Sequence, residues 1–229
     1  MSLSNERVAY FENRTDSVPE GPSNKFSPSV KRGLDVIMAM TGLIVLSPLF
    51  LLIAMLIKIA DSGEVYYAQW RVGRHGEPFR CLKFRTMRTD SDECLERWRI
   101  DHPTLYEEYL RTHKLRNDPR VTYIGRFLRR TSFDELPQLL NILRGEMSVV
   151  GPRPVVEREL AEFYGPVAAA YKSVRPGLTG LWQVSGRSDT TYKERVALDE
   201  WYVRNQSFWI DVRIILKTFF VVLTAKGAL

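Results

Sequence analysis

Val36-Ile-Met-Ala-Met-Thr-Gly-Leu-Ile-Val-Leu-Ser-Pro-Leu-Phe-Leu-Leu-Ile-Ala-Met-Leu-Ile57 is a run of 22 residues without a single charge. As a helix it covers about 30 Å of hydrocarbon. A helix apolar on every side belongs in a membrane or a large core, and this chain is too small for the second. Ser47-Pro48 falls near its middle. Proline removes one backbone hydrogen bond and crowds the preceding turn, and a neighbouring serine can satisfy the freed carbonyl. Lys31 and Arg32 precede the run, while Lys58, Arg71 and Arg74 follow it. A true span carries its excess of Lys and Arg on one side. The Ser47-Pro48 break and the basic residues on both flanks favour a re-entrant segment over residues 31–60, entering and leaving by the cytoplasmic face. A kinked single span is the alternative.

Outward from this segment, residues 1–30 are polar and punctuated by Pro19, Pro22 and Pro28, which reads as a flexible tail. It is too long and too mixed in charge for the start of a cleaved signal peptide. Residues 61–229 form the remaining domain. The net charge of +6 and pI of about 9.4 call for an anionic partner: nucleic acid, acidic lipid or a phosphate-bearing substrate. A nucleic-acid binder leaves the uncharged run unexplained, and no nucleic-acid motif occurs. Cys81 and Cys94 lack metal-ligand spacing, and His75, His102 and His113 form no zinc pattern.

The chemistry-bearing stretch is Thr131-Ser-Phe-Asp-Glu-Leu-Pro-Gln-Leu-Leu140. Leu136, Leu139, Leu140 and Leu143 recur at the spacing of a buried helix face. Asp134 and Glu135 therefore lie in or just before a first turn, where backbone N–H groups favour anions. Residues adjacent on a helix point about 100° apart, so the two acids can serve different partners. Ser132 and Glu135 also fit a capping box, which leaves a structural and a chemical reading equally open. A short helix before them, burying Ile124, Phe127 and Leu128, would deliver Arg126, Arg129 and Arg130 beside the acids.

Elsewhere, residues 64–72 and 78–87 read as two strands around the turn Gly73-Arg74-His75-Gly76. Alternation puts Lys83 and Arg85 on one face, as an anion site or as solvated charge. Residues 89–118 read as surface helices broken near Pro103. Gly151-Pro152-Arg153-Pro154 is a stiff mount for an arginine that binds phosphate or carboxylate, an accidental surface loop being the alternative. A helix over Val155–Tyr171 leads to the glycine-rich loop Arg175–Arg187, whose backbone can approach a ligand closely. Asp189, Arg195 and Asp199 follow on a helical segment. Phe208–Leu223 reads as an amphipathic helix, at the membrane interface or in the core.

The ordered blocks Lys31-Arg32-xx-Asp35, Ser47-Pro48, Lys83-Phe84-Arg85-Thr86-Met87, Asp118-Pro119-Arg120, Asp134-Glu135-Leu136-Pro137-Gln138, Gly151-Pro152-Arg153-Pro154 and Pro176-Gly177-Leu178-Thr179-Gly180 resemble those of the bacterial sugar transferases, specifically the small monotopic phosphoglycosyl transferases that start exopolysaccharide synthesis. The resemblance covers about residues 31–229. It implies an α+β, mainly helical monotopic membrane protein with a small β-hairpin and interfacial helices, on the cytoplasmic face of the bacterial inner membrane. It implies transfer of hexose-1-phosphate from a UDP-hexose, galactose or glucose, to undecaprenyl phosphate, with release of UMP. Asp134 is then the nucleophile of a covalent phosphosugar intermediate, and Glu135 with Asp134 binds Mg²⁺. On physical grounds Lys83, Arg85, Arg129, Arg153 and Arg195 are the candidate phosphate clamps, because neutralising phosphate charge carries most of such catalysis. Asp189 and Asp199 are weaker candidates for metal, sugar or structural contacts. The rival readings are a non-catalytic scaffold of polysaccharide assembly and a glycosyl transferase releasing UDP. A homodimer is left open.

Overall fold

Helix α1, Pro28–Ala60, is the longest element of the computed structural model, which describes residues 27–112, 118–186 and 190–224. The expected tail falls almost wholly outside these residues, except that residues 28–30 already belong to α1. Pro28 occupies the first turn, where its missing N–H costs nothing. With 33 residues α1 is about 50 Å long. The chain stays helical through Pro48, so the expected break reduces to one lost backbone bond. Ser47 Oγ donates to the Ile44 carbonyl at 2.8 Å, the acceptor four residues before Pro48 that the proline leaves orphaned. Among the described residues α1 is the one helix long and apolar enough to cross a membrane. It buries Ala39, Ile53 and Ile57 and exposes Ile37, Ile44, Val45, Leu51, Met55 and Ile59.

Both ends of α1 are tied to the rest of the chain. Near the start, Lys31 pairs with the Asp211 carboxylate, and Arg32 donates to the carbonyls of Ile142 at 2.6 Å and Leu143 at 3.0 Å. Asp35, buried, accepts from the Val149 N–H at 2.9 Å. Past the end, Asp61 accepts from the Thr89 N–H at 2.6 Å and faces Arg85 at 3.3 Å.

Strands β1 (Tyr66–Val72) and β2 (Pro78–Phe84) form the expected hairpin, in antiparallel register from Tyr66–Phe84 to Val72–Pro78. Its turn places His75 at φ 61° and Gly76 at φ 83°. Helices α2 (Ser91–Asp101) and α3 (Pro103–Thr112) follow on the surface, split at Pro103 as read. Helix α4 (Tyr123–Thr131) is capped by Thr122 Oγ1, which accepts from Gly125 N at 2.9 Å. It buries Leu128 but leaves Phe127 exposed, where it packs edge-on against Phe133. Helix α5, Gln138–Arg144, closes at Gly145 (φ 84°).

Strand β3 (Ser148–Val150) pairs in parallel with β4 (Gly177–Thr179), a second sheet that three-residue strands are too short to announce by periodicity. The single helix expected over Val155–Tyr171 is instead a broken series. A helical turn Glu157–Glu159 runs into a π-helical turn, Leu160–Tyr164, and α6 (Ala168–Ser173) begins only after Gly165-Pro166. Gly165 adopts φ 44° and Pro166 cannot donate, so no regular helix crosses them. Helix α7 is Tyr192–Asn205 and α8 is Phe208–Thr224. On α8, Asp211 and Ile214 are buried, so the core reading holds on that face, while Trp209, Leu216, Phe219 and Phe220 are exposed on the other.

The main core gathers Ala39, Phe79, Leu139, Ile142 and Ile214 from α1, the hairpin, α5 and α8, with Met147 from the turn before β3. A second cluster packs Ile53 and Ile57 of α1 on Phe84 and Leu128. Because Asp35 supplies the acceptor for a buried N–H, Asp35→Ala is expected to cost about 1–3 kcal/mol. Thermal unfolding in detergent checks this; Asp35→Asn, which keeps the acceptor oxygen, should lose less.

Candidate active site

The two acids are aimed by backbone geometry. Helix α4 ends at Ser132, which takes the left-handed conformation (φ 60°, ψ 18°), and a 3₁₀ turn, Phe133–Glu135, follows directly. A non-glycine residue in that region carries local strain of about 1–3 kcal/mol. Ser132 makes no side-chain cap, so the capping-box reading fails, and Glu135 is left to bond elsewhere. The sharp turn presents both acids to the hairpin face that carries Lys83. Of the expected leucine comb, Leu139 is buried, and the neighbouring Ile142 joins it in the core.

Lys83 Nζ lies 2.8 Å from Glu135 Oε1 and 3.7 Å from Asp134 Oδ2. Arg153 Nη2 approaches the same Glu135 oxygen at 3.3 Å. Burial opposes ionisation of Glu135, but Lys83 and Arg153 outweigh it and hold the carboxyl down at about 2. Asp134 is shifted the other way. Burial raises its pKa, repulsion from Glu135 adds to the rise, and Lys83, Arg129 and Arg153 act against it. The pair is therefore asymmetric, with Glu135 fixed as the anion and Asp134 the more basic carboxylate. Such a split is the mark of acids with different roles.

The predicted clamps distribute unevenly. Lys83 and Arg153 converge on the acids. Arg129 donates from Nε to Thr86 Oγ1 at 2.9 Å and acts electrostatically on Asp134. Its neighbours Arg126 and Arg130 are exposed and do not join it. Arg85 is not brought to the acids: it closes on Asp61, donating Nη2 to that backbone carbonyl at 2.7 Å, because β2 ends at Phe84 and the next residue turns toward the end of α1. Arg195 lies over the Trp182 ring at 4.6 Å, and Arg153 lies over the same ring at 5.7 Å. Asp199 is not in the cleft; it is buried at 2 % exposure and accepts from the Tyr164 hydroxyl at 2.9 Å. Asp189 lies outside the described residues.

The glycine-rich loop reaches the cleft with Gly177 and Leu178 and also packs within the fold. A Cβ on Gly177 would meet the Gly151 nitrogen at 2.1 Å, and one on Gly180 would meet the Gly151 carbonyl oxygen at 2.3 Å. These glycines let β4 press backbone to backbone against Gly151-Pro152, with Gly177 N donating to the Pro152 carbonyl at 2.7 Å. The loop therefore braces the Arg153 mount.

Between these parts lies a polar cleft lined by Arg71, Lys83, Glu135, Gln138, Arg153 and Gln183. Arg71, Gln138 and Gln183 received no role from the sequence. Arg71 becomes visible only once the hairpin register places its face beside Cys81 and Lys83. Among the described residues no group of three His, Cys, Asp or Glu stands ready as a self-sufficient metal cage.

A cleft that concentrates cations on two buried carboxylates suits a phosphate-bearing substrate. The family described as bacterial sugar transferase matches residues 26–225. The chain belongs to that family. It is 52% identical over 213 residues to the exopolysaccharide production protein ExoY of Rhizobium meliloti, covering 92% of this chain and 94% of that protein. It is 40% identical over 219 residues to the UDP-glucose:undecaprenyl-phosphate glucose-1-phosphate transferase of Caulobacter vibrioides, covering 92% of this chain and 76% of that one. It is 46% identical over 207 residues to the undecaprenyl-phosphate galactose phosphotransferase of Salmonella typhimurium, 90% of this chain but only 43% of that longer protein. As a sugar transferase the chain is an enzyme, and its reaction must be read from the site.

Asp199 generates a pH prediction. Burial raises its carboxyl to about 8, far above its unfolded value, so the neutral form is favoured in the fold. Its contribution to stability is full below about pH 4 and is lost as pH rises through 8. Asp199→Asn, neutral at every pH, should match the wild type near pH 4 and melt at a higher temperature near pH 8. Melting curves across that range check this.

Proposed function

We propose that this sugar transferase moves hexose-1-phosphate from a UDP-hexose, galactose or glucose, to undecaprenyl phosphate and releases UMP, the first membrane step of an exopolysaccharide. The single observation that carries the reading is the asymmetric acid pair: Asp134 raised in pKa beside a Glu135 pinned ionised by Lys83 and Arg153. A carboxylate serves as nucleophile when a neighbour of different duty sits beside it and cations blunt the charge of the target. In the proposed route an Asp134 oxygen attacks the sugar-side phosphorus, and the bond from that phosphorus to the bridging oxygen breaks. UMP leaves with the electron pair. An oxygen of undecaprenyl phosphate then attacks the same phosphorus, and Asp134 departs as a free carboxylate. The names of the Caulobacter and Salmonella relatives support the donor, the acceptor and the phosphosugar unit.

Lys83 and Arg153 bind and neutralise the diphosphate in this reading, with Arg129 supporting the charge on Asp134 and Arg195 supporting Arg153 across Trp182. Glu135 and Asp134 fit Mg²⁺ in the way that ion is commonly held, by one or two carboxylates together with substrate phosphates. Bound there, Mg²⁺ supplies further neutralisation of phosphate charge.

The re-entrant arrangement of α1, with residues 61–229 as the cytoplasmic catalytic domain, belongs to the same proposal. Support comes from the anchors at both ends: Lys31, Arg32 and Asp35 before the apolar run and Asp61 after it all bind the same domain. Side chains on either side of Pro48 do likewise, Leu43 and Leu46 on one core cluster and Leu49 and Phe50 on another. A helix crossing the bilayer would carry one end away from these partners. The exposed apolar face of α1 and the exposed aromatics of α8 then lie in the cytoplasmic leaflet, where the acceptor phosphate sits.

Purified protein in nanodiscs with UDP-galactose or UDP-glucose, undecaprenyl phosphate and Mg²⁺ tests the reaction. UMP is the expected product, and Asp134→Asn should lower its rate at least about 1,000-fold. UDP as product would mean transfer of the sugar alone. Full activity in the variant would remove Asp134 from the chemistry, and no turnover of any UDP-sugar would favour a scaffold. Because Asp134 must be ionised to attack, the rate should fall with acid at a pH above the usual carboxylate range.

A further inference from the structure

Two glutamines in the cleft have hydrogen-bonding capacity that no described residue takes up. Gln138 is only 2 % exposed, lines the cleft, and has no side-chain hydrogen bond within the described residues. Gln183 donates its Nε2 to the Leu178 carbonyl at 3.2 Å, which fixes the amide, and its Oε1 is buried without a partner. Buried polar atoms in folded proteins are satisfied, so the unpartnered Gln183 Oε1, beside a second amide that lines the same cleft, marks a place where a ligand completes the bonding.

The chemistry of that ligand follows from the atoms. Gln183 Oε1 can only accept, and phosphate oxygens at neutral pH are acceptors as well, so the diphosphate cannot satisfy it. The partner must be a donor such as a hydroxyl. Gln138 offers both an acceptor and two donors, which is what a hydroxyl needs, since it donates once and accepts twice. The other polar side chains of the cleft are charged and suit the diphosphate: Lys83 and Arg153 at Glu135, and Arg71 beside them. Gln138 stands four residues beyond Asp134, and the group attached to the phosphorus that Asp134 attacks is the hexose.

We propose that Gln138 and Gln183 are specificity-determining residues that bind hydroxyl groups of the hexose in the donor. The assignment rests on the UDP-hexose reading of the site. It divides the cleft into a charged part for phosphate and a neutral part for sugar. A site built to hydrogen-bond a hydroxyl rejects analogues that lack it strongly, because its buried polar groups are then left unpaired.

The test is binding to full-length protein in nanodiscs, in the Asp134→Asn background so that no turnover intervenes. UDP-galactose, UDP-glucose and UDP are titrated against Gln138→Leu, Gln138→Met and Gln183→Leu. At least one UDP-hexose should lose about ten-fold or more in affinity in each variant, while UDP stays within about two-fold. The melting temperature of the ligand-free Gln138 variants should hold or rise, since no bond among the described residues is lost, whereas Gln183→Leu gives up its bond to the Leu178 carbonyl and is judged on UDP-hexose against UDP alone. Unchanged UDP-hexose affinity would overturn the proposal, and so would an equal loss for UDP, which would place the nucleotide against these amides. Failure of the parent to bind any UDP-hexose would instead defeat the functional reading on which the proposal rests.

Discussion

The charge cluster of Glu135 with Lys83 and Arg153 is the interaction on which the site depends. It joins three separate pieces of chain: a strand of the hairpin, the 3₁₀ turn after α4 and the proline-flanked loop after β3. A buried acid is costly alone, and two adjacent buried acids more so. Two cations on one of them resolve the conflict by ionising Glu135 fully and leaving Asp134 as the carboxylate with the higher pKa. Much of the fold serves to hold those cations in place. Glycines 151, 177 and 180 allow the backbone contact that braces Arg153, and the hairpin register fixes Lys83.

The membrane helix is part of this support. Asp35 bonds Val149 in β3, immediately before the Arg153 mount. Lys31 pairs with Asp211, whose other oxygen accepts from Tyr202, and the Tyr202 hydroxyl lies 3.1 Å from the Val150 carbonyl. The apolar helix is therefore tied through polar bonds to β3, the strand that leads into the Arg153 mount. On the proposed reading, with a lipid acceptor and a phosphate-binding Arg153, this ties the arginine's mount to the apolar helix.

The sequence made the main parts legible for physical reasons that can be named. An uncharged run of 22 residues admits few environments, alternation around Gly73–Gly76 gives a hairpin, and Asp134-Glu135 before a leucine comb gives a helix start. Three-residue strands carry too little pattern, so the β3–β4 pair was invisible. Arg85 and Asp199 read as site residues because charge in sequence says nothing about partners. One pairs with Asp61 and the other with Tyr164. Arg71, Gln138 and Gln183 were missed as cleft residues for the opposite reason: they come together only when distant segments meet. The glycines of the Pro176–Gly180 block read as permitting close approach to a ligand, and in the fold they also permit the contact with Gly151.

The central claim is that Asp134 forms a bond to the phosphosugar. Intact-protein mass measurement after incubation with UDP-hexose, without lipid acceptor, tests it most directly. The account predicts a species heavier by one hexose phosphate, absent in Asp134→Asn and discharged when undecaprenyl phosphate is added. An adduct that persists in Asp134→Asn, or wild-type turnover with no adduct on rapid quenching, would contradict it.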